Sequence, residues 1–142
     1  EWKPFYLDGG IIISDRYTTS NMVHQASKIL DAEEKTKYLD WLCDLEYEKF
    51  GLPKPDCVIF LDMPPEYSHR LMSHRNNKIT GEFEKDIHEK NYSYLVDSYK
   101  NSRMIADKYG WKRISCVENG SLRTIEDIHE EIFRVLKPYL DS

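Results

Sequence analysis

The amino-acid sequence predicts an α/β fold, a parallel sheet flanked by helices, and three observations support it. Ile11-Ile12-Ile13 and Cys57-Val58-Ile59-Phe60-Leu61 are short apolar runs without polar alternation, the pattern of strands covered on both faces. The segments around them space apolar residues three and four apart, the period of an amphipathic helix. The resulting order is strand, two helices, strand, two helices, strand, helix, an alternation that gives parallel sheets.

Along the chain, Glu1 to Asp8 reads as the end of a helix that Gly9-Gly10 stops. Ile11 to Ser14 is the first predicted strand. Met22 to Leu30 follows as a helix, with Ser20 or Asn21 near its start. Lys35 to Phe50 is a stronger helix whose apolar face is Leu39, Leu42, Cys43, Tyr47 and Phe50, leaving Glu and Lys on the other side. Gly51 and Pro53 end it. Cys57 to Asp62 is the second strand and closes on an acid. Pro64-Pro65-Glu66 opens a helix, since proline suits a first turn. A polar patch from Asn76 to Gly81 interrupts the pattern before a long helix from Phe83 to Tyr109, which Gly110 stops. Lys112 to Val117 is the third strand. Thr124-Ile125-Glu126-Asp127 resembles a capping box, ahead of a stripe of Ile125, Ile128, Ile132, Val135, Leu136 and Tyr139. No linker divides residues 1–142, so one domain is expected.

The composition narrows the class. A chain of 142 residues with 40% hydrophobic side chains can build one core. Its apolar runs fall far short of the roughly 20 residues a bilayer span requires. A net charge of −5 opposes general nucleic-acid binding, whose affinity rests on a basic surface. Three cysteines without a signal-peptide pattern indicate reduced thiols, with Cys57 and Cys116 expected in the core. The expectation is a cytoplasmic protein with neither nucleic-acid nor membrane partners.

Ligands of open α/β sheets bind beyond the carboxyl ends of the strands, which directs attention to Asp15-Arg16-Tyr17-Thr18-Thr19-Ser20-Asn21, His24 and Gln25. Arg16 offers a planar fork of donors suited to phosphate oxygens. Asp15 is suited to a hydrated metal or to orienting that guanidinium, and Ser20 and Asn21 to a base or sugar. The same residues would equally form a local ion pair and a helix cap. A second cluster, His69, Arg70, His74, Arg75 and Lys78, reads either as a basic lid over phosphates, spanning residues 69–85, or as a solvated helix end. Asp86 and Glu89 share a helix face, as exposed carboxylates often do. His88 and His129 are isolated and lack metal-ligand spacing. No Gly-x-Ser-x-Gly elbow is present. Asn119-Gly120-Ser121 suits an ordinary turn or a ligand approach.

The segment Asp15-Arg16-Tyr17-x-x-Ser20-Asn21-x-x-His24-Gln25 resembles the Asp-Arg-Tyr segment of thymidylate kinases of bacterial type. Pro55-Asp56-Cys57-Val58-Ile59-Phe60-Leu61-Asp62-Met63-Pro64-Pro65-Glu66 resembles the strand and Leu-Asp-x-Pro-Pro-Glu stretch of the same family. The resemblance covers nearly the whole chain in order, and implies the P-loop NTPase-like fold of a nucleoside monophosphate kinase. It implies phosphoryl transfer from ATP to dTMP giving dTDP, with Mg2+. Arg16 would hold the dTMP phosphate, supported by Asp15. Tyr17, Ser20, Asn21, His24 and Gln25 would line the thymidine site, with Asn21 at the thymine edge. Arg70 and Arg75 would belong to the lid over ATP, as catalytic and cofactor-binding residues. A homodimer through the helices after Asp15-Arg16-Tyr17 is implied as well, with Trp41 available for it.

The sequence departs from the family pattern twice. His24 stands where the family often has a tyrosine packed near the deoxyribose. No Gly-x-x-x-x-Gly-Lys-Ser/Thr occurs in these residues, although a P-loop cradles the nucleotide phosphates with backbone N–H groups. The expectation is a C-terminal portion of a longer kinase that by itself folds poorly and has no ATP-dependent turnover. Another nucleotide kinase of the same scaffold, or a non-catalytic nucleotide-binding remnant, are the alternatives.

Overall fold

The computed structural model describes residues 2–76 and 85–140. The elements are α1 (Trp2–Leu7), α2 (Thr18–Ala26), α3 (Ala32–Cys43), β1 (Ile59–Asp62), α4 (Pro65–Asn76), α5 (Lys85–Tyr109), β2 (Lys112–Ser115), β3 (Val117–Glu118), β4 (Ser121–Leu122) and α6 (Ile125–Leu140). From Asp44 to Lys49, α3 continues as a wider π-helical segment. α1 ends as expected at Gly9, whose φ of 86° closes the helix while the Gly10 amide donates to the Phe5 carbonyl.

β1 and β2 pair in parallel, from Ile59 opposite Lys112 to Asp62 opposite Ser115. α4 and α5 form the crossover between them. β3 and β4 form a short antiparallel hairpin. Its turn is Asn119-Gly120, with φ of 51° and 76°. Positive φ at both central residues matches the twist of the flanking strands, and glycine and asparagine tolerate it best.

The first predicted strand does not form. Ile11, Ile12 and Ile13 are 56%, 44% and 86% exposed, and no described strand pairs with them. A strand needs a neighbour for its backbone N–H and C=O groups, and three isoleucines cannot replace one. The parallel sheet of the described residues therefore has two strands. The predicted third strand is divided: Lys112–Ser115 joins β1, while Val117 pairs with Leu122 in the hairpin. Cys116 is buried between them, whereas Cys57 is half-buried.

The core is helical. Met22 and Ala26 of α2, Leu39 and Leu42 of α3, and Ile105 of α5 form one buried cluster, flanked by Tyr38, Cys43, Tyr47, Tyr109 and Trp111. The α3 periodicity is correct for Leu39 and Leu42, but Phe50 is exposed and Glu46 is buried in its stead. Asp31 caps α3 by accepting from the Glu34 amide at 2.8 Å. Thr124 does the same for the Asp127 amide at 3.1 Å, which is one of the two bonds of a capping box. Of the α6 stripe, Ile128, Ile132, Val135 and Leu136 are half-buried, whereas Ile125 is 82% exposed.

Leu39→Ala is expected to lower unfolding free energy by about 2–5 kcal/mol, because Leu39 is 1% exposed. Leu30→Ala, at a position 95% exposed, is expected to change it by less than about 0.5 kcal/mol. Urea unfolding followed by circular dichroism measures both.

Candidate functional site

The site begins at a strained residue. Arg16 has a φ of 68°, a left-handed backbone that non-glycine residues seldom adopt. Ser14 supports it, its hydroxyl donating to the Arg16 carbonyl at 2.9 Å. The Arg16 Nε donates to the Ser20 hydroxyl at 3.3 Å, and its two terminal nitrogens carry no bond among the described residues. Asp15 is exposed and forms no ion pair with Arg16, so the local-pair reading of these two residues fails. Nor is Tyr17 a side-chain cap for α2. Its hydroxyl instead donates to the Pro53 carbonyl at 3.1 Å. The Ser20 amide donates to the Tyr17 carbonyl at 2.9 Å, and the N-terminal end of the helix dipole lies at the same end as the guanidinium, an arrangement favourable to an anion.

The π-helical segment holds α2 from one side. A π turn spaces side chains differently from an α turn, and here Glu46 and Tyr47 both reach α2. Tyr47 and Thr18 share a hydroxyl hydrogen bond of 2.7 Å. Asn21 Nδ2 donates to Glu46 Oε1 at 2.8 Å. Glu46 is 6% exposed and its Oε2 has no partner. Burial, followed by the negative field of Glu46, pushes the Tyr17 and Tyr38 phenols above their ordinary range. Burial is likewise the main reason that Tyr47 is raised, opposed by its bond to Thr18.

One turn further along α2, His24 Nδ1 lies 2.9 Å from the Tyr94 hydroxyl of α5, with the two rings nearly parallel. Burial, then the positive charges of Arg16 and Lys28, lower the imidazole pKa below its usual value. His24 also lines a pocket of about 180 Å3 with Phe60, Leu61, Ser98, Tyr99 and Ser102. The buried Ser98 hydroxyl there is unpartnered. Gln25 is exposed, and its Oε1 accepts from Lys28.

The predicted residues are thus brought together only in part. Arg16, Ser20, Asn21 and His24 share α2 and its approach. Arg70 lies on α4, its guanidinium 5.2 Å from the Tyr67 ring, and no described bond joins it to α2. The Tyr67 hydroxyl ties that helix to the hairpin by donating to the Gly120 carbonyl. The side chains of His74, Arg75, Asp86, His88 and Glu89, and all of Lys78, lie outside the described residues, as does the centre of the expected lid. Glu46, Tyr47 and Tyr94 were not anticipated. Glu46 had a signal: it falls four residues after Leu42 and three after Cys43, which places an acid on an apolar face. Tyr94, 70 residues from His24, had none.

A two-stranded parallel sheet with a helical crossover, packed with helices, defines an α/β protein, and a guanidinium with two unbonded terminal nitrogens stands at the head of one of those helices. The family model described as Thymidylate kinase matches residues 2–132, and the chain belongs to that family, whose fold is P-loop NTPase-like. A probable thymidylate kinase of Thermococcus onnurineus is 30% identical over 139 residues, covering 95% of this chain and 56% of the relative. A thymidylate kinase of Fervidobacterium nodosum is 29% identical over 139 residues, covering 97% and 61%. The chain thus spans little more than half the length of these curated relatives. No solved structure matches it significantly.

Arg16→Gly is expected to be at least as stable as the parent, since glycine relieves the left-handed strain; thermal melting reads this directly. The His24 pKa lies below its unfolded value of 6.5, so protonation favours the unfolded chain. Its contribution is complete above that value and is lost as pH falls through the lowered one. Between about pH 7.5 and about pH 5.5 the parent is expected to lose more urea resistance than His24→Gln.

Proposed function

We propose that the protein carrying this chain is a dTMP kinase, transferring the γ-phosphoryl group of ATP to dTMP to give dTDP. The observation that supports this most is Arg16, held in a strained backbone with its terminal nitrogens uncommitted, within the segment that matches the family. Phosphoryl transfer is mostly positioning and charge stabilisation. Arg16 would grip the dTMP phosphate through its free nitrogens, with Nε anchored on Ser20. Ser20, Asn21 and His24 present the helix face for the nucleoside, with Tyr17 fixing the helix start through Pro53. Gln25 borders that face, and Arg70 and Arg75 are assigned to closure over ATP.

The residues fit the magnesium that such chemistry uses. Mg2+ is generally held by one or two carboxylates together with phosphates and waters, and Asp15 supplies an exposed carboxylate without a described partner. No group of three or more His, Cys, Asp or Glu side chains able to hold a metal occurs among the described residues. When bound, Mg2+ would supply positive charge that offsets the negative charge of the phosphates. Asp15 would orient its water shell.

A cytoplasmic homodimer completes the proposal. The exposed Trp41 of α3 supports an interface on that helix. No helix among the described residues is long and apolar enough to cross a membrane.

Turnover of dTMP, dUMP, dCMP and thymidine with ATP, by the protein purified at its natural length, tests the assignment. Preference for dTMP is expected; preference for any other acceptor, or none at all, rejects it. Arg16→Ala is expected to lower kcat/KM for dTMP at least about a hundredfold. Arg16→Lys should not restore it, because an ammonium lacks the bidentate fork.

A further inference from the structure

Glu46 is a buried acid that none of the expected site residues accounts for. It is 6% exposed on the π-helical segment, faces α2, and accepts from Asn21 Nδ2 at 2.8 Å. A carboxylate offers only acceptor oxygens. The nitrogen of the Asn21 amide must therefore be the end that faces it. That choice fixes the other end: Asn21 Oδ1 turns away from Glu46, and no described residue donates to it. A terminal amide is otherwise free to sit either way round. Here reversal would set a carbonyl oxygen against a buried carboxylate whose second oxygen is already unpartnered, which is strongly unfavourable. The helix cannot easily shift to relieve such a clash. Tyr17 and Thr18 are tied to the same stretch of chain through Pro53 and Tyr47.

We propose that Glu46 is a positioning residue that holds Asn21 with its acceptor outward, and thereby selects pyrimidines bearing a protonated N3, as thymine and uracil do, over cytosine. An outward acceptor meets the N3–H of thymine or uracil as a hydrogen bond. Against cytosine it meets a lone pair, so both groups lose their partners on desolvation. Sites built around a hydrogen bond discriminate strongly for this reason. The inference rests on the nucleotide reading of α2 given above.

Glu46→Gln is the test, because it keeps the shape while adding donors. The new amide accepts from Asn21 Nδ2 or donates to Oδ1, which frees Asn21 to turn. Calorimetric titration of dTMP and dCMP into the protein at its natural length, and into the variant, gives the ratio of affinities. The parent ratio should favour dTMP, and Glu46→Gln should reduce it at least about tenfold. A merely structural role for Glu46 would lower the melting temperature and leave the ratio intact, and an unchanged ratio overturns the inference. Should the variant fail to fold, the Asn21 side-chain amide in the unmodified protein decides by NMR. Slowly exchanging, well-separated amide protons support the pinned orientation, and rapidly exchanging, averaged ones overturn it. Failure of the unmodified protein to bind dTMP is a different result: it removes the nucleotide reading itself, and the inference with it.

Discussion

Asn101, buried on α5, donates from its amide nitrogen to the Val23 carbonyl at 2.7 Å and to that of Met22 at 3.4 Å, and the position of α2 depends on this bond. Arg16 stands just ahead of α2, whose exposed side is polar, yet no described strand leads into it. Its place is set by helices: apolar contact through Met22 and Ala26, Asn101 from one side, and Glu46 and Tyr47 from the other. Apolar contact alone is tolerant of small slides and rotations. Directional bonds from buried polar groups are not, because a broken one leaves a desolvated donor or acceptor without compensation. Among the described residues, the buried side-chain atoms without partners are Glu46 Oε2 and Asn101 Oδ1, on two residues bonded to α2, Ser98 Oγ, in the pocket beside it, and Asp62 Oδ1, at the end of β1. Unsatisfied groups of this kind are few in folded proteins and call for a reason.

The arginines divide into two kinds on the same grounds. Arg113 of β2 grips Asp62, at the end of β1, through Nε and Nη2 at 3.2 and 2.8 Å, while its Nη1 reaches Asp107. Arg103 lies 4.0 Å from the same carboxylate. Burial is the main cause of the raised Tyr99 phenol, and a hydrogen bond to Asp62 adds to it. These guanidiniums compensate an acid that is 8% exposed and keep the carboxyl end of the sheet in order. Arg123 is similarly engaged, with Glu131 and the Ser115 carbonyl. Arg16 bonds through Nε alone, to a neutral hydroxyl. An incoming phosphate would displace an existing ion pair at Arg113 or Arg123, but none at Arg16.

The sequence made legible whatever local chemistry decides. The helix stop at Gly9, the cap at Thr124, the Asn119-Gly120 turn and the buried stripe of α3 each depend on residues within a few positions of one another. Ile11–Ile13 failed because a strand is a relation between segments. Its apolar character states a preference for burial, and only a pairing neighbour turns that preference into a strand. Glu46 shows the opposite case. Its place on the apolar face was visible, but an acid there makes sense only once Asn21, 25 residues earlier, is opposite it. The link between His24 and Tyr94 is of the same long-range kind.

The strain at Arg16 joins these threads. A left-handed residue at the entry to a helix costs free energy of order 1–3 kcal/mol, and a glycine would avoid it. The chain accepts that cost with an arginine in place and steadies it through Ser14. Strain of this kind persists when the surroundings over-determine the conformation, and here they do: Tyr17, Thr18 and Asn21 are each bonded to the stretch from Glu46 to Pro53. The same bonds that confine the arginine also confine the amide of Asn21. Phosphate capture and base choice would thus be set by one rigid piece of backbone, with the guanidinium at its start and the amide in its second turn. A substitution in the π-helical segment, which itself touches no phosphate, would be felt at both.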